Sequence, residues 1–249
     1  MIPESYLSYK LNPKEKIRFV FFCGLGFMSV GYLFYHSIIL SLILSSLSYP
    51  CIRVYSNYKA DKRRKELKEQ FRDLLYSISA SVTTGRHMAE ALYEAEQNLR
   101  LIYKEDSLIV LELSYMVKRI YEYRESEEEI LRDFAARASI EDISDFVDIY
   151  LICRETGGDF IKVITKASEI IMDKICIEKD INTITSQKRF EAKILTAIPF
   201  IVILFLQLVS PDYLAVMYAD IKGHLLMTLA LLGIGFAYMW SMKLTKIEV

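Results

Sequence analysis

Histidine and cysteine are the side chains of this chain that could supply nucleophilic or metal-binding chemistry. The three histidines, His36, His87 and His224, stand far apart in the sequence, and two of them border apolar segments. Zinc sites usually draw their His and Cys ligands from short spacings, and this sequence has no such spacing. A thiol dyad of His87 with Cys153 would require the fold to bring two distant residues together. The sequence therefore predicts no metal site and no cofactor.

Other enzyme signatures are missing from the sequence as well. It contains no G-x-x-x-x-G-K-[ST], no G-x-S-x-G and no H-E-x-x-H pattern. The four cysteines include no C-x-x-C pair, so we expect four free thiols in a reducing cytoplasm. The acidic run Glu127, Glu128 and Glu129 fits a charged helix start that complements the helix dipole better than a binding patch. We do not expect an enzyme.

Two long apolar blocks indicate a membrane protein. Residues 19–52 carry no charge, and as one straight helix they would extend roughly 50 Å, well beyond a hydrocarbon core of about 30 Å. This block is predicted to fold back near Tyr32–Ser37 into two spans. The second block is uncharged over 194–210 and resumes over 223–242, which again predicts two spans. Because the spans lack Asp, Glu, Lys and Arg, a transporter or channel is disfavoured.

Basic residues flank the outer ends of these blocks and are nearly absent from the turn within each block. Seven Lys or Arg residues lie between Arg53 and Lys68, whereas the turn near Tyr35 has none and the loop before Gly223 has only Lys222. The positive-inside rule then places both termini and the central domain in the cytoplasm of a multi-pass protein of the cell membrane. The predicted parts are a cytoplasmic segment (1–18), a transmembrane hairpin (19–52), a cytoplasmic domain (53–192), spans three and four (193–242) and a cytoplasmic tail (243–249).

The charge balance bears on the partners of the protein. A formal net charge of -1 argues against a nucleic-acid partner. The basic run that starts at Arg53 lies against a predicted span, which favours orientation signalling and contact with the anionic lipid bilayer. Small residues at helical spacing within the spans indicate helix packing more than a groove for another protein. They form two stripes, Ser37, Ser41, Ser45 and Ser48 in the first block and Ala230, Gly233 and Ala237 in the last.

The central domain is predicted to be an antiparallel bundle of about six helices. No proline occurs between Pro50 and Pro199, so the sharp corners fall at the glycines of that interval: Gly85, Gly157 and Gly158. The apolar stripe from Phe71 to Val82 marks the first helix, which Gly85 would cap. Short helices connected by tight turns pack as antiparallel neighbours. The expected fold is therefore an all-α domain between two pairs of transmembrane helices.

Capping signals predict where the later helices of this domain begin. Asp106 is expected to cap the third helix, and Ser126 with Glu129 forms a capping box for the fourth. Ser139 with Asp142 gives a weaker version of the same signal for the fifth helix. The sixth helix, from Phe160, has no stop signal before Pro199 and should run unbroken from the domain into the third span.

Several motifs resemble those of one known family. The run from Phe71 to Gly85, followed by Met88-Ala-Glu-Ala-Leu92, resembles the opening hairpin of the type II secretion F domain. The motif Glu155-Thr-Gly-Gly158 and the run from Gln187 to Pro199, which enters a span, resemble the same family. The likeness covers roughly residues 60–240 and is strongest to the tight-adherence (Tad) branch of pilus platform proteins. One F domain is present, where many platforms of general secretion and type IV pili carry two.

The resemblance implies a non-enzymatic platform in the inner membrane of a Tad/Flp-like type IV pilus or type II secretion system. Its implied partners are a hexameric secretion ATPase, a second F-domain platform protein or further copies of this chain, and pilin subunits. The candidate structural and coupling positions that it implies are Gly85, Glu155, Gly157, Gly158, Gln187 and Pro199. Two alternatives stay open, a membrane-tethered helical signalling or scaffolding protein and a membrane enzyme with an unfamiliar helical site.

Overall fold

The computed structural model describes Tyr6, Tyr9 and residues 11–156 and 159–244, without the side chains of Leu47, Val216, Ala219 and Ile221. The chain forms two compact units. The domain unit comprises Ser56–Glu178 with the N-terminal segment that contains Tyr6 and Tyr9. The apolar unit comprises Leu11–Tyr55 with the chain from Lys179 onward.

Every regular element of the described residues is helical, as the sequence predicts. The α-helices are α1 (Pro13–Tyr35), α2 (Ile38–Ser45), α3 (Cys51–Thr83), α4 (Met88–Ile102), α5 (Leu108–Tyr121), α6 (Glu127–Ala138), α7 (Glu141–Thr156), α8 (Phe160–Val209), α9 (Pro211–Ala219) and α10 (Ile221–Leu244). A single 3-10 turn, Ser46–Ser48, follows α2.

The domain unit has one buried core, to which α3, α4, α5, α6, α7 and the first part of α8 all contribute. Aromatic rings from three helices meet at its centre, where the ring of Phe71 lies 5.9 Å from that of Phe146 and 6.4 Å from that of Phe134. The ring of Tyr150 lies 5.9 Å from that of Phe160 and joins α7 to the start of α8. Burial of each such side chain stabilises the fold by roughly 1.5–3 kcal/mol.

The start of α5 differs from the sequence prediction. Ser107, not Asp106, occupies the N-cap position, and its side chain makes no capping hydrogen bond. Instead, the buried Gln70 of α3 accepts a hydrogen bond from the backbone N–H of Ile109 at 3.0 Å. A side chain from another helix therefore accepts the hydrogen bond of an amide that a capping side chain at the start of α5 would otherwise accept.

The two Ser capping signals have opposite outcomes. Ser126 accepts a hydrogen bond from the backbone N–H of Glu129 at 3.2 Å and begins α6 as predicted. Ser139 ends α6 instead of beginning α7, because it adopts a left-handed C-cap conformation with φ of 49°. Asp142, its predicted capping partner, is buried beside two lysines. Because Asp142 is buried beside these lysines, it does not form the capping box with Ser139 that the sequence predicts.

Gly85 ends α3 in the left-handed conformation, with φ of 86°. Its N–H bonds to the carbonyl of Val82 at 2.9 Å, and the N–H of Arg86 reaches the carbonyl of Ser81 at 3.3 Å. These two bonds form a Schellman motif, which satisfies carbonyl groups that the helix end leaves free. A β-carbon at Gly85 would meet no other atom within 4 Å, so a substitution there is strained by backbone conformation alone.

We expect Gly85→Ala to destabilise the domain unit by roughly 1–2 kcal/mol, because a β-carbon disfavours the left-handed region. Gly85→Val should cost more, and Gly85→Asn less, since asparagine tolerates this conformation best among other residues. Thermal unfolding of the purified full chain in detergent, followed by circular dichroism, measures the effect. Equal melting temperatures for the Val variant and the parent would contradict a strained corner.

The first apolar block folds back where the sequence predicts. The helix α1 ends at His36, which adopts φ of 47°, and the following chain runs back along α1. A β-carbon on Gly31 would lie 2.8 Å from the Cα of Ser41, so only glycine permits this approach. Further along, Ser45 donates a hydrogen bond to the carbonyl of Gly24 at 3.1 Å. The serine stripe of this block therefore packs against α1.

The return arm of this hairpin is not one long helix. It consists of α2, the 3-10 turn and the first residues of α3, interrupted at Tyr49 and Pro50. Proline lacks the amide that would continue a helix and restricts the residue before it. The described residues accordingly contain three helices that are long and apolar enough to cross a membrane, Pro13–Tyr35, Phe160–Val209 and Lys222–Leu244. Of the four predicted spans, the second is therefore not among these three helices.

The helix α8 extends without interruption over 50 residues and contributes to both units. The predicted continuity up to Pro199 is confirmed, and the helix continues beyond it to Val209. Pro199 removes one backbone hydrogen bond, a loss that apolar membrane helices tolerate. Within the apolar unit, Phe200 of α8 lies 5.7 Å from Phe34 of α1, measured between ring centroids.

Candidate functional site

The structure describes four of the six predicted coupling positions. Gly85 and Glu155 are exposed in the domain unit, and Gln187 is exposed on α8 in the apolar unit. Pro199 is half-buried within the same helix. The predictions for 157 and 158 fall outside the described residues. The four described positions thus divide between the two units, two in each.

The corner at Gly85 lies close to the start of α8. The hydroxyl of Thr83, in the last turn of α3, lies 3.5 Å from the hydroxyl of Thr165 in α8. Through this contact the end of the first helix of the domain meets the helix that extends into the apolar unit. Such a contact can pass a displacement of α3 to α8.

A cluster of charged groups that the sequence analysis did not identify is centred on Glu112, which is fully buried in α5. Arg137 of α6 donates two hydrogen bonds to its carboxylate, at 2.7 and 2.8 Å, and a third to Asp133 at 3.0 Å. Arg119 joins the same network by donating to Asp133 at 2.7 Å. Burial alone would lower the pKa of Arg137, but the bonds to Glu112 outweigh it and the pKa is raised. We call these residues the Glu112 cluster.

The N-terminal segment is attached to the Glu112 cluster through Tyr6. Its hydroxyl donates to Glu112 at 2.8 Å, and its backbone N–H donates to the carbonyl of Arg137 at 3.0 Å. The guanidinium of Arg63 lies 5.3 Å from the centre of the same ring, a cation–π arrangement. Burial, followed by the charge of Glu112, raises the pKa of Tyr6 well above its usual range. The tyrosine thus stays a neutral donor.

A second cluster is centred on Asp142, whose side chain is 1% exposed. The ammonium groups of Lys68 and Lys174 lie 2.6 and 2.9 Å from its two oxygens, as ion pairs without the angles of hydrogen bonds. Lys68 also pairs with Glu178 of α8. Burial alone would raise the pKa of Asp142, but the two lysines lower it below its usual value. This Asp142 cluster fastens α3, α7 and α8 together.

Both clusters leave a signal in the sequence. Glu112 stands on the apolar stripe of α5, three residues after Ile109 and four before Met116. Asp142 likewise stands four residues before Phe146 on the stripe of α7. A charge on the buried face of an amphipathic helix needs a partner of opposite charge. That rule would have identified both residues, though not their partners.

The acidic run at the start of α6 has structural partners. Glu127 accepts a hydrogen bond from the hydroxyl of Tyr150 at 2.6 Å, and Arg154 lies 3.4 Å from Glu128. Burial and this bond to Glu127 raise the pKa of Tyr150 above its usual range. The run therefore ties α6 to α7, which agrees with a structural role and not with a free binding patch.

The two members of the thiol dyad considered above lie in different environments. His87 is exposed at the start of α4, whereas Cys153 is buried in α7. Among the described residues, no group of three His, Cys, Asp or Glu side chains is placed to hold a metal ion. The domain unit carries an open depression of about 490 Å³. Its lining includes Gln70, whose carbonyl oxygen is occupied by the amide of Ile109.

In the apolar unit, two of the three histidines lie beside tyrosine rings of other helices. His36 stacks on Tyr218 with ring centroids 5.5 Å apart, and the neighbouring Tyr35 lies 6.2 Å from His224. The hydroxyl of Tyr35 also lies 2.9 Å from that of Thr228 in α10. This polar group holds α1, α9 and α10 together at the end of the apolar unit where α1 turns.

The second stripe of small residues is exposed on α10. Ala230, Gly233 and Ala237 face outward, and nothing lies within 4 Å of a β-carbon built on Gly233. Many large apolar side chains of α1, α8 and α10 are exposed as well, among them Phe22, Leu208 and Leu232. Apolar surface of this extent on long helices is typical of protein that faces lipid.

No family model, no curated protein and no solved structure matches this chain.

Proposed function

We propose that this protein is an inner-membrane platform of a Tad/Flp-like type IV pilus or of a type II secretion system. In this role it couples a cytoplasmic secretion ATPase to the extraction and polymerisation of pilin subunits. The observation that carries the proposal is α8, one helix that belongs to the charged domain unit at its start and to the apolar unit at its end. A helix shared in this way can pass movement from a soluble motor to the membrane.

Further support comes from the motifs that resemble the F domain. The first of these ends at Gly85, whose left-handed conformation makes a sharp corner after α3. The second leads from Gln187 to Pro199, a stretch that lies wholly within α8. The domain unit is also rich in ion pairs between helices, which hold it as one body when force is applied. The Asp142 cluster adds a direct link from α3 and α7 to α8.

The proposed mechanism needs no catalytic residue in this chain. The ATPase supplies the energy, and its movement displaces the domain unit. The Asp142 cluster and the contact of Thr83 with Thr165 pass that displacement to α8. The apolar end of α8 then moves within the bilayer and changes the surface on which a pilin helix packs. The exposed small-residue stripe on α10 suits close approach by such a helix.

The proposed topology places both termini and the domain unit in the cytoplasm. Phe19 and Tyr55 stack with ring centroids 4.2 Å apart, so the return arm ends beside the start of α1. Lys14 and Lys16 at the start of α1 and Arg53 in the return arm consequently lie at the same end of the apolar unit, which agrees with the positive-inside rule. In this arrangement the broken return arm crosses the bilayer together with α1, α8 and α10.

Cysteine labelling tests this topology. With the native cysteines replaced by serine, Ala215→Cys in α9 should react with a membrane-impermeant maleimide in intact cells, because α9 faces away from the cytoplasm. Glu127→Cys should react only after permeabilisation. Mass spectrometry of the purified protein measures the labelled fraction at each site. Labelling of position 127 in intact cells would reverse the orientation and remove access to a cytoplasmic ATPase.

Deletion of the gene tests the function itself. We expect cells without this protein to lose surface filaments or pilus-dependent secretion, and a tagged copy to restore them. The tagged copy, purified from native membranes after mild crosslinking, should bring with it a secretion ATPase and a second F-domain protein. Unchanged filaments in the deletion strain, together with a cytosolic regulator in the purified material, would favour a membrane-tethered scaffold instead.

A further inference from the structure

The register of the N-terminal hairpin brings two cysteines together. On one side of them, Ser45 donates its hydroxyl hydrogen to the carbonyl of Gly24. On the other side, Phe19 stacks on Tyr55. Between these contacts, Cys23 of α1 faces Cys51, the first residue of α3, although 27 residues separate them in the sequence (residues 24–50).

The two thiols are near enough to interact electrostatically across the hairpin, and both side chains are half-buried. The hairpin arms approach closely because Gly31 lies against the backbone of Ser41. A disulfide requires Cα atoms about 4.4–6.8 Å apart, a spacing that closely packed arms can reach but arms separated by large side chains cannot. Because the register of the arms sets Cys23 opposite Cys51, a disulfide between them would join two segments that are already paired.

We infer that Cys23 and Cys51 form a redox-active dithiol that closes to an intramolecular disulfide across the hairpin. The oxidant is a small two-electron acceptor of the quinone or diazene class, which can enter an apolar site. One thiolate sulfur attacks the oxidant, and the second sulfur then displaces it to form the S–S bond. The two thiols lose two electrons and two protons, and the oxidant becomes the hydroquinone or hydrazine.

The other two cysteines are not suited to this step. Cys153 is buried within α7, and Cys176 is exposed on α8, both in the domain unit. The bond between Cys23 and Cys51 would fasten the first turn of α3 to α1, at the point where the broken return arm ends. Closure of a loop of this length removes conformational freedom from the unfolded chain. The oxidised hairpin should therefore resist unfolding more than the reduced one.

Diamide treatment of the purified full chain in detergent tests the inference. We expect two of the four thiols to disappear, and non-reducing mass spectrometry should find the peptides of Cys23 and Cys51 joined with a loss of two hydrogens. Dithiothreitol should reverse the change. Cys153→Ser and Cys176→Ser should leave the crosslink intact, and Cys23→Ser should remove it.

A change of register provides the matched control. Phe27→Cys in a Cys23→Ser background moves the thiol four residues, about 6 Å, along α1 and should not crosslink to Cys51. Phe19→Cys with Tyr55→Cys, in a background without Cys23 and Cys51, should crosslink because these rings stack. If diamide crosslinks the 19–55 pair but leaves Cys23 and Cys51 reduced, or joins them only between two chains, the inference is overturned. Neither result depends on the proposed pilus function.

Discussion

Insertion of Gly-Gly-Ser after Gln187 should abolish filament assembly while the protein stays in the membrane at its normal level. The insertion lies within α8, in an exposed stretch where Ser186, Gln187 and Lys188 all face solvent. The core of the domain unit therefore loses no contact. Glycine is about 1 kcal/mol less favourable than alanine at each helical position, so the inserted residues form a flexible joint. A flexible joint cannot pass torque or tilt from the domain unit to the apolar end of α8.

The matched control is Ala-Ala-Ala inserted at the same place. It adds the same length and the same rotation of the following helix, but alanine keeps the helix continuous. Surface filaments are measured in cells that carry each variant, with membrane levels of the protein as reference. If only the glycine insertion stops assembly, stiffness is what matters; if both stop it, the register of α8 matters. Normal filaments with the glycine insertion at normal protein level would exclude mechanical coupling through α8.

Arg137→Met should destabilise the domain unit by roughly 3–5 kcal/mol, the usual cost of leaving one partner of a buried ion pair without the other. Glu112 is fully buried and receives two of its hydrogen bonds from Arg137. Methionine has a comparable length but no charge, so among the described residues the carboxylate would keep only the hydroxyl of Tyr6 as donor. Such a loss is a large part of the stability of a typical domain.

Arg132→Met is the control for this substitution, because Arg132 is exposed on the same helix. It should change stability by no more than about 0.5 kcal/mol. Urea unfolding of the full chain in detergent, followed by circular dichroism, measures both variants. The double variant Arg137→Met with Glu112→Met should recover much of the loss, since no buried charge remains. A double variant as unstable as the sum of the single ones would show that packing, and not charge, explains the effect.

The helices of the domain unit could be predicted closely from the sequence because the signals for them are local. Three signals each act within a few residues: the cap at Ser126, the left-handed Gly85 and the helical pattern after Phe160. Where the prediction was wrong, a distant residue competed with the local signal. Gln70 takes the amide that Asp106 was expected to cap, and the lysines beside Asp142 hold it away from a cap.

The sequence by itself determined the class of this protein, an all-helical chain with long apolar helices around a charged domain. Hydrophobic periodicity and charge distribution are written in the sequence itself. Water favours the burial of apolar side chains and the exposure of charged ones in any compact fold, so these patterns fix the class. Only the tertiary structure decided which charges pair and that Cys23 faces Cys51 across the hairpin. These features depend on the register between segments far apart in sequence, and small packing and electrostatic differences, invisible in any one segment, set that register.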